Sequence, residues 1–175
     1  IKRISRHVTV CMDHKQQIYE HGSDEAEILQ KLGLSRRNVS LLSAFRCCPY
    51  VVRLAAQFLS SQTEREHYIN QAKTEQFDRQ TPMLYLAHDL DSEKERFLQI
   101  IRTRQAQGDR IAILYPTNYY IFGAAKRYKD LGLEVEVQRA RRNQGYYPID
   151  FTSDRPKIMT YHSAKGLQFE SVFLP

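Results

Sequence analysis

The chain has 175 residues, a formal net charge of +6, and a 42% hydrophobic content that includes eleven Tyr and eight Phe. That suffices for one domain with a core, is too little for two large ones, and excludes a disordered polyelectrolyte. No apolar run approaches the ~20 residues that span a bilayer, and the opening IKRISRHVTV is no signal peptide.

The positive balance favours a polyanionic partner. Cys11, Cys47 and Cys48 have no metal-ligand spacing and an odd count, and the neighbours Cys47 and Cys48 do not readily pair with each other. A reduced, cytoplasmic protein is the simplest reading. The chain lacks an initiating Met and stops after a strand-like run, so it reads as a piece of something larger.

Residues 7–12 (HVTVCM) alternate and are β-branched, which predicts a strand, followed by the polar turn Asp13-His14-Lys15-Gln16-Gln17 and then Ile18-Tyr19. Ser23 is placed to cap a short helix that carries Ile28, Leu29 and Leu32 on one face and ends at Gly33. Residues 39–44 (VSLLSA) read as a buried strand ending in Phe45-Arg46, with Pro49 opening a helix. An arginine at such a strand-to-helix turn can reach an anion, because the helix amides point the same way; the plain alternative is a surface ion pair.

Residues 60–81 are polar and lack a period, as a solvated connection would. Residues 83–87 (MLYLA) read as a strand, and Ser92-Glu93-Lys94-Glu95 as a capping box opening a helix that stops at Gly108. The run 110–115 (RIAILY), cut by Pro116, predicts a central parallel strand. Residues 118–131 read as a helix with Ile121, Ala125 and Tyr128 along one stripe, ended by Gly132, and 133–137 (LEVEV) as a half-exposed strand.

Residues 140–154 are the least regular part. Arg139, Arg141 and Arg142 with Tyr146 and Tyr147 are either a basic-aromatic surface for single strands or a solvated loop. The chain closes on KIMTYHSAKGLQFESVFLP. An apolar pair, Ile158-Met159, leads into the polar knot 160–166, and a second apolar run, 172–174, follows. Hydroxyls, an imidazole, an ammonium and a glycine within seven positions suit phosphate and sugar contacts at a strand end, although any βα loop can carry such residues.

TYHSAKGLQFESVFL resembles motif V of the UvrD/Rep-type superfamily 1 helicases, T-x-H-x-A-K-G-L-E-F followed by a strand, with Gln168 in place of the family's Glu. The related five-prime-to-three-prime branch shows H-K-x-Q-G there, which this chain lacks. Asp13, Gln16, Ile18 and Tyr19 match the family's motif III, G-D-x-x-Q-S-I-Y, whereas Met12, His21 and Gly22 depart from it. LLSAFRCCPYVVRLAAQFL resembles motif IV, L-x-x-N-Y-R-S, with Arg46 on the motif arginine, Phe45 on the aromatic, and Ala44 and Cys47 as departures. The three stand in the family's order and span nearly the whole chain.

The resemblance implies an α/β fold of RecA-like type, a mostly parallel sheet flanked by helices. Residues 1–34 would be a remnant of a first RecA-like domain with a linker helix. Residues 35–175 would be the second domain without its motif VI end. The accessory subdomain that UvrD and Rep insert between motifs IV and V has no room here. The implied activity is ATP-driven 3'-5' movement on single-stranded DNA, with ATP and Mg2+ bound mainly by the first domain. The chain itself has no G-x-x-x-x-G-K-[ST] phosphate loop and no Asp-Glu magnesium motif. In this scheme Arg46 is the arginine finger and Gln16 senses the γ-phosphate. Phe45, Gly166 and Gln168 touch the nucleotide, and Tyr19, Thr160 and His162 touch the DNA.

Two other classes fit the residues. One is a degenerate RecA-like module that binds DNA or protein without ATPase activity, which the departures at His21, Gly22 and Gln168 favour. The other is an unrelated small-molecule α/β enzyme, disfavoured because no glycine-rich fingerprint follows a strand.

Overall fold

The computed structural model describes residues 9–11, 24–36, 47–71, 81–86, 88–137, 140–141, 145–146 and 149–175. The chain divides into two compact units, Ile1–Tyr85 and Leu86–Pro175.

Among the described residues the first unit contains three short helices: α1 (Glu25–Leu32), α2 (Pro49–Ala56) and α3 (Gln62–Asn70). Asp24, rather than Ser23, is the N-cap of α1; its Oδ1 accepts from the Glu27 amide at 2.7 Å. Its carboxylate, with Glu25 and Glu27 in the first turn, complements the positive helix end. Gly33 closes α1 at φ 71°, as expected of a left-handed C-cap. Pro49 opens α2, as the sequence predicts, and α2 packs on α3 with Val52 and Ala56 buried. Arg65 Nε donates to the Leu59 carbonyl at 2.7 Å and closes the α2–α3 turn.

Two strands expected near the front fall wholly or partly outside the described residues. Residues 39–44 do so entirely. Of 7–12, only 9–11 are described; they are exposed and belong to no strand. The strand expected at 83–87 is corrected: residues 81–86 pair with nothing in a ladder, and Met83, Leu84 and Leu86 lie largely in solvent, Leu84 at 88% exposure. An apolar run becomes a strand only where a neighbouring ladder takes its amides and carbonyls, and no neighbour does so here.

The second unit is an α/β layer. Helix α4 (Leu90–Ala106) leads to strand β1 (Ile111–Tyr115), helix α5 (Asn118–Asp130) and strand β2 (Glu136–Val137). A small hairpin, β3 (Ala140–Arg141) against β4 (Gly145–Tyr146), precedes β5 (Lys157–Thr160) and β6 (Ser171–Phe173). The sheet order is β2-β5-β1-β6 and every pairing is parallel. Within the stretch read as least regular, 140–154, the hairpin accounts for residues 140–141 and 145–146, while residues 149–154 form no helix or strand.

Helix α4 starts two residues before the expected capping box. Asp89 is its cap, accepting from the amides of Asp91 and Ser92 at 3.0 and 2.8 Å, while Ser92 Oγ donates to its other oxygen at 2.8 Å. These donors hold the Asp89 carboxyl below its ordinary pKa.

Register builds the core. Val137 lies beside Ile158, Ile158 beside Ile113, and Ile113 beside Phe173, one row across four strands. Side chains at one level of a parallel sheet share a face. Phe97, Leu98 and Ile101 of α4 and Ile121, Ala124, Ala125 and Tyr128 of α5 pack with this row. Ala112 and Met159, on the alternate face, are also buried, which explains why β1 reads as a continuous apolar run. The Tyr115 and Tyr128 hydroxyls share a buried 2.8 Å hydrogen bond, and burial pushes both phenols above their ordinary pKa. Helix α5 ends at Asp130 with Leu131 as C-cap; Gly132, φ 73°, follows, and the Leu133 amide turns back to the Tyr128 carbonyl at 2.8 Å. That fold-back consumes most of the expected strand 133–137, leaving two residues to pair.

Candidate nucleic-acid interface

β5 delivers the polar knot to the carboxyl end of the sheet. Thr160, its last residue, is 8% exposed; its Oγ1 accepts from the Ser163 amide and donates to Ser163 Oγ, both at 3.1 Å. The Ala164 amide bonds the Thr160 carbonyl at 3.0 Å, and the Leu167 amide the Ala164 carbonyl at 3.0 Å. A hydroxyl that satisfies the following backbone in this way ends a strand and starts a tight turn. Gly166, at φ +84°, reverses the chain. His162, Lys165 and Gly166 stay exposed on this turn.

The turn is tied sideways as well, for the Tyr161 amide donates to the Tyr115 carbonyl at 3.1 Å. The loop after β5 and the β1–α5 turn therefore sit side by side. Thr160, His162 and Gly166 all lie on that turn or at its start.

Gln168 is not part of that group. The chain returns along the sheet to start β6 in parallel, and Gln168 lines a pocket at the amino ends of β1 and β5 with Arg110, Phe151, Asp154, Arg155 and Lys157. This pocket holds about 50 Å³, far below the roughly 300–1,000 Å³ of small-molecule sites. Gln16, Tyr19, Phe45 and Arg46 lie outside the described residues.

Sequence reasoning passed over the groups that organise the amino end. Lys157 is almost fully buried, with Nζ donating to the Ser153 carbonyl, Ser153 Oγ and the Arg155 carbonyl at 2.8, 2.8 and 2.7 Å. Desolvation lowers its pKa. Arg110 donates from its amide, Nε and Nη2 to Glu170 at 3.0, 2.9 and 2.6 Å, a fork that fastens the start of β1 to the residue before β6. Those bonds bring the Glu170 carboxyl down to about 2. The signal available in sequence was weak: a charged residue at the edge of an apolar run. Tyr119 and Tyr120, exposed at the start of α5, were equally unremarked.

Among the described residues no group of three or more His, Cys, Asp or Glu is placed to hold a metal ion, and no helix is long and apolar enough to cross a membrane. Comparison with known protein families, with curated proteins and with solved structures finds no match.

Proposed function

We propose that this chain supplies the second RecA-like domain of a UvrD/Rep-type superfamily 1 helicase, a cytoplasmic ATP-driven motor moving 3'-5' on single-stranded DNA. The observation that carries the reading is the fold of the motif V-like run. KIMT is a buried strand, YHSAKG a tight hydroxyl-pinned turn, and SVF a second strand, and the two strands flank β1 in a parallel sheet. That arrangement exposes His162 and Lys165 at the strand end where α/β folds bind ligands.

In this scheme Thr160 sets the turn and His162 faces the DNA, and the resemblance assigns Tyr19 a DNA contact as well. None of these contacts depends on base identity. ATP with Mg2+ belongs mainly to a partner domain that carries a phosphate loop. The described residues fit no more than one wall of such a site, since the pocket at the amino ends of β1 and β5 is too small for a nucleotide and no metal-ligand cluster lies among them. The nucleotide supplies the phosphoryl group that is transferred, and Arg46 is the residue that would neutralise its developing charge, a task for a planar guanidinium. Gln16, Phe45, Gly166 and Gln168 complete that assignment.

Two measurements test the reading. The purified chain should bind single-stranded DNA with an affinity that falls steeply with salt, and should hydrolyse no ATP. In a protein that joins it to the phosphate-loop domain, Arg46→Ala should leave ATP and DNA binding nearly intact and slow turnover about a thousandfold. Arg46→Lys should recover little, because an ammonium cannot bridge two oxygens as the fork does. DNA-stimulated ATPase activity in the isolated chain, or wild-type turnover in the alanine variant, would exclude the proposal.

A further inference from the structure

Helix α5 buries Ile121, Ala124, Ala125 and Tyr128. At about 100° per residue, those positions put Tyr119 on the opposite face, with Tyr120 and Phe122 at its flanks. Tyr119 is 83% exposed and Tyr120 51%. Their rings meet edge to face with centroids 5.6 Å apart. Both belong to the first turn of α5, a few residues past the end of β1. Tyr161, also exposed, follows β5 at the same end of the sheet. Because the Tyr161 amide is bonded to the Tyr115 carbonyl, the turn that leads into α5 and the loop that carries Tyr161 start side by side.

None of the three rings contributes to the core. Exposed cations accompany them: Lys126, two turns along the outward face of α5, and Lys165 in the β5–β6 turn. Rings interleaved with ammonium groups, in a chain of net charge +6, match a polyanion whose apolar faces are accessible. A duplex hides its base faces in the stack, whereas an unpaired strand presents them.

We infer that Tyr119, Tyr120 and Tyr161 form a stacking platform for the bases of single-stranded DNA, with Lys126 and Lys165 on the flanking phosphates. The inference rests on the single-strand reading above and adds to it three rings for stacking beside the contacts of Thr160 and His162. Every base has a π-face, so the platform tolerates any sequence while still distinguishing a base-bearing strand from a bare backbone.

The test compares labelled oligo(dT) with an abasic strand of equal length, by fluorescence anisotropy on the purified chain at low salt. Oligo(dT) should bind about tenfold more tightly, the scale of one or two stacked bases. Replacing all three tyrosines by alanine should bring oligo(dT) down to the abasic affinity and leave the abasic affinity and its salt dependence unchanged. Replacing them by phenylalanine should keep the preference, since stacking needs the ring and not the hydroxyl. Circular dichroism should match wild type throughout, as the side chains are exposed. A preference for oligo(dT) that survives in the alanine variant overturns the platform. So does equal binding of both strands by wild type. Failure of wild type to bind either strand overturns the single-strand reading itself, a separate outcome.

Discussion

The amide of Tyr161 bonds the carbonyl of Tyr115 at 3.1 Å, one residue beyond the register pair Tyr115–Thr160. The β1–β5 ladder thus runs one step past the end of β5, and the turn leaves the sheet from a fixed point. Strand burial holds the base of that turn, so exposed His162 and Lys165 are presented by a rigid support even though they contribute little to the core.

Gly166 and Gly123 should respond to alanine with opposite signs. Gly166 sits at φ +84° with open space where a Cβ would go, so only the backbone resists; Gly166→Ala should cost about 1–2 kcal/mol. Gly123 is an interior residue of α5, and an added Cβ meets nothing closer than Arg127 Nη1 at 4.0 Å. Gly123→Ala should gain roughly 0.5–1 kcal/mol from helix propensity. Urea denaturation of both variants measures this, and equal signs would mean the turn or the helix is mis-assigned.

Thr160 can be separated from Ser163 in the same way. Thr160→Val keeps the shape but leaves the Ser163 amide without its acceptor, and should cost about 1–2 kcal/mol. Ser163→Ala retains that amide bond and loses only the hydroxyl contact, so it should stay within about 0.5 kcal/mol of wild type. A Ser163→Ala effect as large as that of Thr160→Val would show that the hydroxyl pair, and not the amide, holds the turn.

How far the fold was legible follows from where its signals were local. The continuous run ending at Pro116 marked β1, and the Ile121–Ala125–Tyr128 stripe with Gly132 marked α5. Both need nothing beyond their own side-chain period. Residues 83–86 have the composition of a strand, but whether a ladder accepts them depends on chain elsewhere, which no local pattern reports. The β3–β4 hairpin is too short to display a period. At the site, the grouping of Thr160, His162 and Gly166 was legible because one turn holds all three. Gln168, two residues past Gly166, lies elsewhere, because the parallel return to β6 takes it toward the amino end of the sheet.

Lys157 illustrates a buried charge with no sequence signal. Its ammonium is satisfied by two carbonyls and a hydroxyl from the chain just before it, so it fastens the 153–155 turn to β5. Lys157→Met fills similar space and removes all three donors; it should lower stability by about 1–3 kcal/mol. The same variant should speed amide exchange at residues 153–155, measured by hydrogen–deuterium exchange. Unchanged exchange there would mean that packing alone holds the turn.

Glu170 gives the chain a stability component that depends on acid. Its folded pKa, about 2, lies below the ordinary 4.5 because Arg110 donates to it from backbone and side chain. A depressed carboxylate contributes in full above its unfolded pKa and loses that contribution as pH falls toward the folded value. The difference in urea midpoint between wild type and Glu170→Gln should therefore be largest near pH 6 and shrink between about pH 4.5 and pH 2. Asp89 and Asp150 are also depressed, but both variants carry them, so they cancel in the difference. Salt should reduce the gap at pH 6, since the Arg110 guanidinium is well exposed. A gap that holds constant from pH 6 to pH 2 would mean that Glu170 acts through shape and neutral hydrogen bonds, and that the fork between β1 and β6 is not ionic.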